Sequence, residues 1–359
     1  MGKKMSKKTF LYDFHQKAGA KIVDFGGFLL PLQYEGIVEE HKWCRKNCCI
    51  FDTSHMGEFF IEGNIKEINK LVTIDIKNTK NKRCRYSFFL NERGGIVDDI
   101  IVYKFNDEKF MFVVNSANIE KDKKHILQNL KNCNFRDFSS VYGKIDVQGP
   151  EAKNVLEENF NIKLDLKYFK FDIYKIFEQE VIISNSGYTG DPGYEIYARG
   201  NLIKKIWEEI VKDRRVKPAG LGARDTLRIE SGLPLYGNDI NENTNPFEAD
   251  LGKFVDIKKD FFIGQDALKN IKIQKIRKML LAETKRPLRK GDLFIENKEV
   301  GYITSGSFSP ILNKGIGIGY IYIEFKDRQI CETENKISCK IFSIGEFKIQ
   351  SIALTKSSE

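Results

Sequence analysis

Two adjacent aspartates, Asp98 and Asp99, lie within the apolar run GGIVDDIIVYKF at residues 94–105. Successive side chains of a strand point to opposite faces, so each acid shares its face with apolar neighbours. Burying an unpaired carboxylate costs several kcal/mol, in rough terms, unless the group is partnered or protonated. The run therefore predicts a strand in which at least one carboxylate is poorly hydrated, and we expect a bound ligand to offset the cost.

A second isolated acid, Glu195, follows a glycine-rich turn in the segment SGYTGDPGYEIYA, residues 186–198. The turn by itself is typical of an ordinary hairpin. The carboxylate carries more information, because it stands at the start of a strand beside several tyrosines. Its two oxygens can accept paired N–H and NH2 groups from a flat heterocycle, such as the guanidine-like edge of a pterin or a guanine.

One arginine, Arg224, stands near the start of a predicted helix in GLGARDTLRIESGLPLYGNDI, residues 220–240. The glycines of this segment do not form a dinucleotide fingerprint, because the third glycine is missing and no apolar strand leads into them. The alternative to a binding role is an ion pair with a neighbouring acid, beside an aspartate that the helix dipole favours. Taken alone, Arg224 fits that ion pair better than a binding role.

The remaining reactive residue types argue against several enzyme classes. None of the four histidines stands at ligand spacing from Cys, Asp or Glu, and neither a Gly-x-Ser-x-Gly nor a Cys–His signature is present. His55, in DTSHMG, stands at a strand–turn edge, a pattern that is more often structural than catalytic. Isolated acids, one arginine and 14 tyrosines fit a flat, partly anionic organic cofactor that supplies the reactive atom.

The elements that must position these residues indicate an α+β chain with a β-rich end. Strand patterns at 86–90, 96–105 and 109–114 precede a helix pattern at 118–131. This alternation of strands and helices favours a ferredoxin-like subdomain. From about residue 275, short apolar runs divided by Gly, Asn and Pro predict a small all-β barrel or sandwich.

The composition is that of a globular protein with more than one domain, since 359 residues exceed the ~250–300 of a single core. The net charge of +9 suits an anionic partner or a low-GC genome, and no nucleic-acid-binding motif accompanies it. Seven scattered cysteines without zinc or cluster spacing indicate a reducing compartment. No run is long enough to span a membrane and the basic start lacks an apolar core, so we expect a cytoplasmic protein.

Eight blocks of the sequence, taken in order, match one enzyme family. The blocks are LYDFHQKAGAKIVDFGGFLLPLQY, FDTSHMGEF, GGIVDDIIVYK, VQGPEA, GYTGDPGYEI, GLGARDTLRIESGLPLYGNDINENTNPFEADLG, FIGQDAL and TSGSFSPIL. From about residue 10 to residue 325 the chain closely resembles the aminomethyltransferase (T-protein) family of the glycine cleavage system. The resemblance implies a multidomain α+β fold around a central tetrahydrofolate site. We accordingly expect a discontinuous folate-binding domain at 1–55 and 140–262, a ferredoxin-like domain at 56–139 and a β-barrel domain at 275–359.

The resemblance also implies an activity. Members of the family accept an aminomethyl group carried on the lipoyl arm of the H-protein and transfer its carbon to tetrahydrofolate. The products are 5,10-methylenetetrahydrofolate, ammonia and the dihydrolipoyl H-protein. We therefore expect tetrahydrofolate as co-substrate, the lipoylated H-protein as partner, and neither a metal nor nucleic acid.

Site residues follow from the resemblance position by position. Asp99 matches the carboxylate that lies beside the folate ring nitrogens and matters most for turnover. Glu195 matches the acid that binds the pterin edge, and Arg224 matches its basic companion. The positions that line the folate pocket in the family are Met56, Tyr86, Tyr103, Asn115, Tyr168 and Tyr188. The sequence leaves open whether Asp99 acts by electrostatic stabilisation or by proton transfer.

Some positions depart from the family pattern, and two other functions stay open. Phe28 replaces a tryptophan of the early GGW motif, the NPFEA block continues as DLGKF, and the chain ends in SIALTKSSE where the family often has aromatic and basic residues. These departures bear on docking of the lipoyl arm. The alternatives are a folate-dependent demethylase of another donor and a non-enzymatic folate-binding relative, although GYTGDPGYEI replaces the KGCYxGQE-type stretch usual in the latter.

Overall fold

A computed structural model describes residues 6–347 of the chain. These residues form two compact units. The first unit contains Asp98–Arg224 and the described residues before Leu90, and the second contains Leu90–Val97 and the described residues after Arg224. Helices and mostly antiparallel sheets make up the structure, so the predicted α+β class is confirmed.

The first unit contains a six-stranded sheet with the strand order β11-β12-β13-β10-β4-β14. Its strands are β4 (Cys48–Asp52), β10 (Tyr142–Gln148), β11 (Phe171–Ile176), β12 (Gln179–Ser184), β13 (Gly193–Arg199) and β14 (Val216–Pro218). β10 pairs antiparallel with both β13 and β4, whereas β14 pairs parallel with β4. Ile50, Ile145 and Ile196 on the central strands are fully buried. Short, nearly continuous apolar runs are typical of strands that are covered on both faces.

A second sheet of the first unit, with the order β6-β7-β8-β5-β9, carries the aspartate pair. Its strands are β5 (Gly57–Gly63), β6 (Arg83–Leu90), β7 (Ile96–Lys104), β8 (Lys109–Val114) and β9 (Cys133–Asp137). A small third sheet has the order β1-β3-β2, with β1 (Lys7–Lys8), β2 (Lys21–Phe25) and β3 (Phe28–Gln33). The strand predicted at 96–105 is thus confirmed to within one residue.

The described residues contain eight α-helices. They are α1 (Tyr12–Lys17), α2 (Ile37–Lys46), α3 (Ile65–Asn69), α4 (Ile119–Asn129), α5 (Ala152–Phe160), α6 (Gly200–Ile210), α7 (Leu221–Glu230) and α8 (Gln265–Asn270). In α6, Ile203, Ile206, Trp207 and Ile210 recur at helical spacing and are fully buried in the core of the six-stranded sheet. This spacing places all four on one face of the helix.

A buried cluster joins the two large sheets of the first unit. It contains Tyr103 and Met111 from the sheet of the aspartate pair and Phe171, Ile182 and Tyr197 from the six-stranded sheet. The Tyr103 and Tyr197 rings meet edge-on, with their centroids 5.5 Å apart. The cluster therefore brings strand β7, which carries Asp98 and Asp99, onto strand β13, which carries Glu195.

The second unit contains a closed barrel with the strand order β15-β18-β17-β16-β19-β20. Its strands are β15 (Lys275–Ala282), β16 (Gly291–Ile295), β17 (Lys298–Ser309), β18 (Lys314–Tyr322), β19 (Ile330–Thr333) and β20 (Ser338–Ser343). Leu280, Leu293, Val300 and Ile321 fill its interior and are fully buried. The β barrel that the short apolar runs predicted is confirmed.

Residues 232–262 contain one 3-10 helix, Gly252–Phe254, in the described structure. The three-domain division with its boundaries remains a prediction, and the closing SIALTKSSE lies outside the described residues. A search of residues 6–347 finds no helix with the length and apolar character needed to cross a membrane.

Candidate active site

Asp98, the first acid of the pair, is fully buried in β7 and receives its hydrogen bonds from the protein. The backbone N–H of Asn115 donates to its Oδ2 at 3.0 Å, and the side-chain amides of Asn115 and Asn118 donate to its Oδ1 at 2.9 and 2.6 Å. Asp98 therefore needs no ligand to offset the cost of its burial. Asparagines that follow β8 in sequence supply the compensation.

A third carboxyl group, Asp122 on α4, is buried behind the pair. Burial and the neighbouring charge of Asp98 raise the pKa of Asp122 to about 11. Asp122 is accordingly protonated near neutral pH, and neither of its carboxyl oxygens has a hydrogen-bond partner among the described residues. Burial also raises the pKa of Asp98, against the hydrogen bonds it accepts.

Asp99, the second acid, is half-buried and is held at both oxygens. The Tyr86 hydroxyl donates to Oδ2 at 2.8 Å, and the Asn115 amide donates to Oδ1 at 2.9 Å. Burial and the adjacent Asp98 raise the pKa of Asp99 to about 7. Its carboxyl group is thus fixed in position and can change protonation state near neutral pH. We call Tyr86, Asp98, Asp99, Asn115 and Asp122 the Asp99 cluster.

Glu195 lies on β13 opposite Asp146 of β10 and Ser184 of β12. Its Oε2 accepts hydrogen bonds from Ser186 Oγ at 2.6 Å, Tyr103 Oη at 3.1 Å and Tyr197 Oη at 3.2 Å. Lys144 Nζ is 2.8 Å from its Oε1. Two tyrosines therefore bind this acid directly, Tyr197 from its own strand and Tyr103 from β7.

Arg224 reaches the same region from α7. Its Nη1 is 2.7 Å from Asp146 Oδ2, and its guanidinium lies 4.8 Å from the centroid of the Tyr188 ring. Asp146 is buried, and although burial opposes its charge, Lys144 and Arg224 hold its pKa below the usual range. The acid that pairs with Arg224 thus comes from a distant strand. We call Tyr103, Lys144, Asp146, Tyr188, Glu195 and Arg224 the Glu195 cluster.

Two residues expected to line the folate pocket, Met56 and Tyr168, belong to neither the Asp99 cluster nor the Glu195 cluster. Met56 is half-buried and packs against the aromatic cluster that contains Tyr103 and Tyr197. The Tyr168 side chain is 68% exposed, and its ring packs edge-on against Phe169. The structure therefore gathers Tyr86, Asp99 and Asn115 into one cluster and Tyr103, Tyr188, Glu195 and Arg224 into another, with Tyr168 at the surface.

Lys144 and Asp146 were missed by the sequence analysis. They stand two residues apart in GKIDVQGP, so their side chains lie on one face of β10, opposite to that of Ile145 and Val147. A lysine and an aspartate on one face of an otherwise apolar strand form a detectable signal, because charged residues are almost never fully buried unless paired.

Three histidines of the first unit, His15, His41 and His55, are also buried. His15 Nε2 is 2.9 Å from Asp52 Oδ2, and the Tyr34 hydroxyl lies 2.7 Å from its Nδ1. His55, expected to be structural, packs edge-on against Phe25, and burial and Arg224 lower its pKa to about 4. His55 is therefore neutral at physiological pH.

The clusters have complementary chemical abilities. Asp99 can stabilise developing positive charge or exchange a proton near neutral pH. Glu195 can accept hydrogen bonds from a ligand, and Tyr103 and Tyr188 add aromatic surface. Residues 6–347 contain no group of three or more His, Cys, Asp or Glu side chains placed to hold a metal ion.

Comparisons with known proteins match both units to the same protein family. The GCVT N-terminal domain matches residues 11–259, and the glycine cleavage T-protein C-terminal barrel domain matches residues 275–340. An aminomethyltransferase of Thermoanaerobacter pseudethanolicus is 40% identical over 328 residues, which cover 88% of this chain and 89% of that protein. One from Desulfitobacterium hafniense is 39% identical over 344 residues, covering 91% and 92% of the two chains.

A solved structure agrees with these sequence matches. The crystal structure of the glycine cleavage system aminomethyltransferase T from Bartonella henselae superposes with a TM-score of 0.88 at 32% identity, over 96% of this chain and 98% of that one. The chain therefore belongs to the glycine cleavage T-protein family of aminomethyltransferases.

Proposed function

We propose that the chain is the aminomethyltransferase of a glycine cleavage system. It takes the aminomethyl group from the lipoyl arm of an H-protein and transfers the carbon to tetrahydrofolate. The C–S bond to the lipoyl arm and the C–N bond to the amino group break, two bonds from the carbon to the folate nitrogens form, and the protons that those nitrogens lose leave with the thiol and with ammonia. The products are 5,10-methylenetetrahydrofolate, ammonia and the dihydrolipoyl H-protein.

One observation carries the assignment of the site. The first unit holds two acids of different character: a fixed Asp99 whose pKa burial and Asp98 raise to about 7, and a Glu195 bound by three hydroxyl groups and one ammonium group. An anchoring acid and a reactive acid suit a ligand with a hydrogen-bonding edge at one end and reacting nitrogens further along. Tetrahydrofolate has that form.

In this proposal Glu195 accepts hydrogen bonds from the pterin edge, with Arg224 as its basic companion. Met56, Tyr103 and Tyr188 line the pterin site, and Tyr86 and Asn115 belong to the part that surrounds the reacting nitrogens. Tyr168 would contact folate only near the surface, because its side chain is 68% exposed.

Asp99 is the proposed catalytic residue. Positive charge develops on the carbon and its nitrogen as the bond to sulfur breaks, and a carboxylate held in place beside them stabilises that charge. Tyr86 and Asn115 already orient both oxygens of Asp99, so little reorganisation is needed during the reaction. Electrostatic stabilisation is therefore the role we assign to Asp99.

The donor in this reaction is a carrier protein, for which a basic cavity is a candidate contact. The cavity, in the first unit, has a volume of about 410 Å³ and is lined by Lys80, Arg83, Arg85, Lys167 and Lys170. None of these five side chains forms an ion pair with another residue in the range 6–347. Together with the net charge of +9, this supports an acidic partner surface.

Ionic strength and charge reversal test the carrier contact. Raising the salt from about 0.05 to about 0.3 M should increase the KM for the aminomethylated H-protein and leave kcat nearly unchanged, because salt screens exposed charges. Lys80→Glu with Lys167→Glu should raise that KM further, whereas the exposed Lys285→Glu of the second unit serves as control. A KM that responds to neither change would place the carrier elsewhere.

The activity is tested by supplying aminomethylated H-protein with tetrahydrofolate and measuring ammonia release. Sarcosine and a sulfonium compound serve as rival one-carbon donors. We expect ammonia with the H-protein alone. Turnover with a rival donor would favour the demethylase alternative, and folate binding without any turnover would favour the non-enzymatic one.

A further inference from the structure

Four buried side chains of the Glu195 cluster alternate in charge. Arg224 contacts Asp146, Asp146 contacts Lys144, and Lys144 contacts Glu195. The side chains are 14%, 0%, 1% and 10% exposed, in that order. Removing an inner member of such a series leaves an uncompensated buried charge, which is strongly unfavourable.

All three N–H donors of the Lys144 ammonium group have acceptors within the protein. An ammonium group has three N–H donors. The acceptors around Nζ are Glu195 Oε1 at 2.8 Å, Thr53 Oγ1 at 3.2 Å, and Asp146 Oδ1. Thr53 also donates to Asp146 Oδ1, at 2.9 Å. The ammonium group is therefore held from three sides and has no donor left for a ligand.

The position of Lys144 makes the two oxygens of Glu195 unequal. A carboxylate offers about four acceptor positions, two at each oxygen. Three hydroxyl groups converge on Oε2, whereas Oε1 has Lys144 as its partner. An acceptor position therefore remains at Oε1, on the side that the lysine does not occupy.

We propose that Lys144 is a positioning residue of the folate site: its ammonium group, held between Glu195 and Asp146, fixes the Glu195 carboxylate in an orientation in which the free acceptor position of Oε1 receives a pterin N–H group. Lys144 also links Glu195 to Arg224 through Asp146, so the anchoring acid and its basic companion form one unit. The inference rests on the proposed function, because it assumes that a pterin binds at Glu195.

A matched control exists in the same unit. Lys104 is 2% exposed, donates to the backbone oxygen of Ile76 at 2.9 Å and lies 2.7 Å from Asp107. It shares the burial and the aspartate partner of Lys144, but its carboxylate partner is exposed and belongs to neither cluster. Lys104→Met therefore measures the effect of deleting a buried lysine as such.

The experiment measures the Kd for tetrahydrofolate by anaerobic calorimetry in the wild-type chain, Lys144→Met, Glu195→Gln, Lys144→Met with Glu195→Gln, and Lys104→Met. We expect Lys144→Met to weaken binding by roughly 10- to 100-fold, as is common when a buried charge loses its partner. Lys104→Met should change the Kd by less than ~3-fold.

The double variant separates positioning from structural support. It retains Arg224 with Asp146 and has no unpaired charge at 195, so it should fold even if Lys144→Met does not. If Lys144 acts through Glu195, the double variant should bind tetrahydrofolate within ~3-fold of Glu195→Gln. A further large loss in the double variant, or wild-type affinity in Lys144→Met, would overturn the role of Lys144. If the wild-type chain itself bound no tetrahydrofolate, the proposed function would be wrong, whatever the variants of Lys144 showed.

Discussion

Two neighbouring residues of one strand illustrate how environment separates chemically identical groups. Asp98 is fully buried, bound by two asparagines, and adjacent to a protonated Asp122. Asp99 is half-buried and faces Tyr86, and burial together with Asp98 raises its pKa to about 7. The inner acid is therefore structural, and the outer one is the candidate for chemistry.

Asp99→Asn should lower kcat by about 10²- to 10⁴-fold, the range for one positioned catalytic group. Folding should be retained, because the amide oxygen can still accept a hydrogen bond and its NH2 can donate to the Tyr86 hydroxyl. Steady-state ammonia release measures the effect, and calorimetry checks that folate still binds. Asp266→Asn is the control, since that side chain is 88% exposed. Wild-type turnover in Asp99→Asn would remove Asp99 from the mechanism.

The pH dependence of kcat/KM distinguishes the two roles of Asp99. If the carboxylate is the active form, kcat/KM should rise with pH through about 7 and then level off, because the fraction of ionised Asp99 grows over that interval. This rise of kcat/KM through pH 7 should be absent in Asp99→Asn. A kcat/KM that falls as the pH rises through 7 would show that protonated Asp99 is required, and would favour proton donation over electrostatic stabilisation.

At the scale of elements, the turn between β12 and β13 depends on a glutamine beneath it. Gln148 is fully buried, donates to the backbone oxygen of Ser186 at 3.1 Å and accepts from the Thr189 hydroxyl at 2.9 Å. A Cβ added to Gly187 would lie 2.0 Å from Gln148 Oε1, and one added to Gly193 would lie 2.3 Å from its Nε2. The glycines of the turn therefore leave space for the side chain that supports it.

Gly187→Ala should lower the free energy of unfolding by about 1–3 kcal/mol, the usual cost of overpacking. Because Gln148 must move, the turn that carries Tyr188 should shift and the Kd for tetrahydrofolate should rise. Urea denaturation and calorimetry measure the two effects. Gly345→Ala serves as control, since a Cβ there meets no atom within 4 Å. Unchanged stability in Gly187→Ala would show that Gln148 can adjust freely.

At the scale of the whole molecule, each unit has its own buried ion pairs. The second unit contains Arg228, whose Nη1 is 2.6 Å from Asp239 Oδ2 and whose Nη2 is 2.8 Å from Ser305 Oγ. Both charged side chains are essentially fully buried. Removing one partner of such a pair leaves the other charge buried and uncompensated, which is strongly destabilising.

Arg228→Met should destabilise the second unit by about 3–5 kcal/mol, because it leaves Asp239 buried without its cation. Lys336→Met is the control; its pair with Glu332 is exposed and should contribute no more than ~1 kcal/mol. Urea unfolding followed by far-UV circular dichroism measures the change. The two tryptophans, Trp43 and Trp207, lie in the first unit, so their fluorescence reports that unit separately. Equal unfolding curves for the two variants would contradict the prediction.

The sequence by itself determined the local structure and the family. Alternating and apolar runs marked β7, β8 and the barrel strands, because side-chain periodicity is a property of short segments. Rare blocks identified Asp99, Glu195 and Arg224 as candidates, since those residues stand in motifs that can be read along the chain. The buried position of one acid in the DD pair was also predictable from its neighbours.

Only the tertiary structure decided what each of these residues contacts. Asp122 reaches Asp98 from a helix, Asp146 reaches Arg224 from another strand, and Lys144 was missed altogether although it binds Glu195. The exposure of Tyr168 was likewise not predictable from its position in the sequence. The physical reason is that partners of buried charges are selected by strand register and by the packing of distant segments, about which local spacing carries no information.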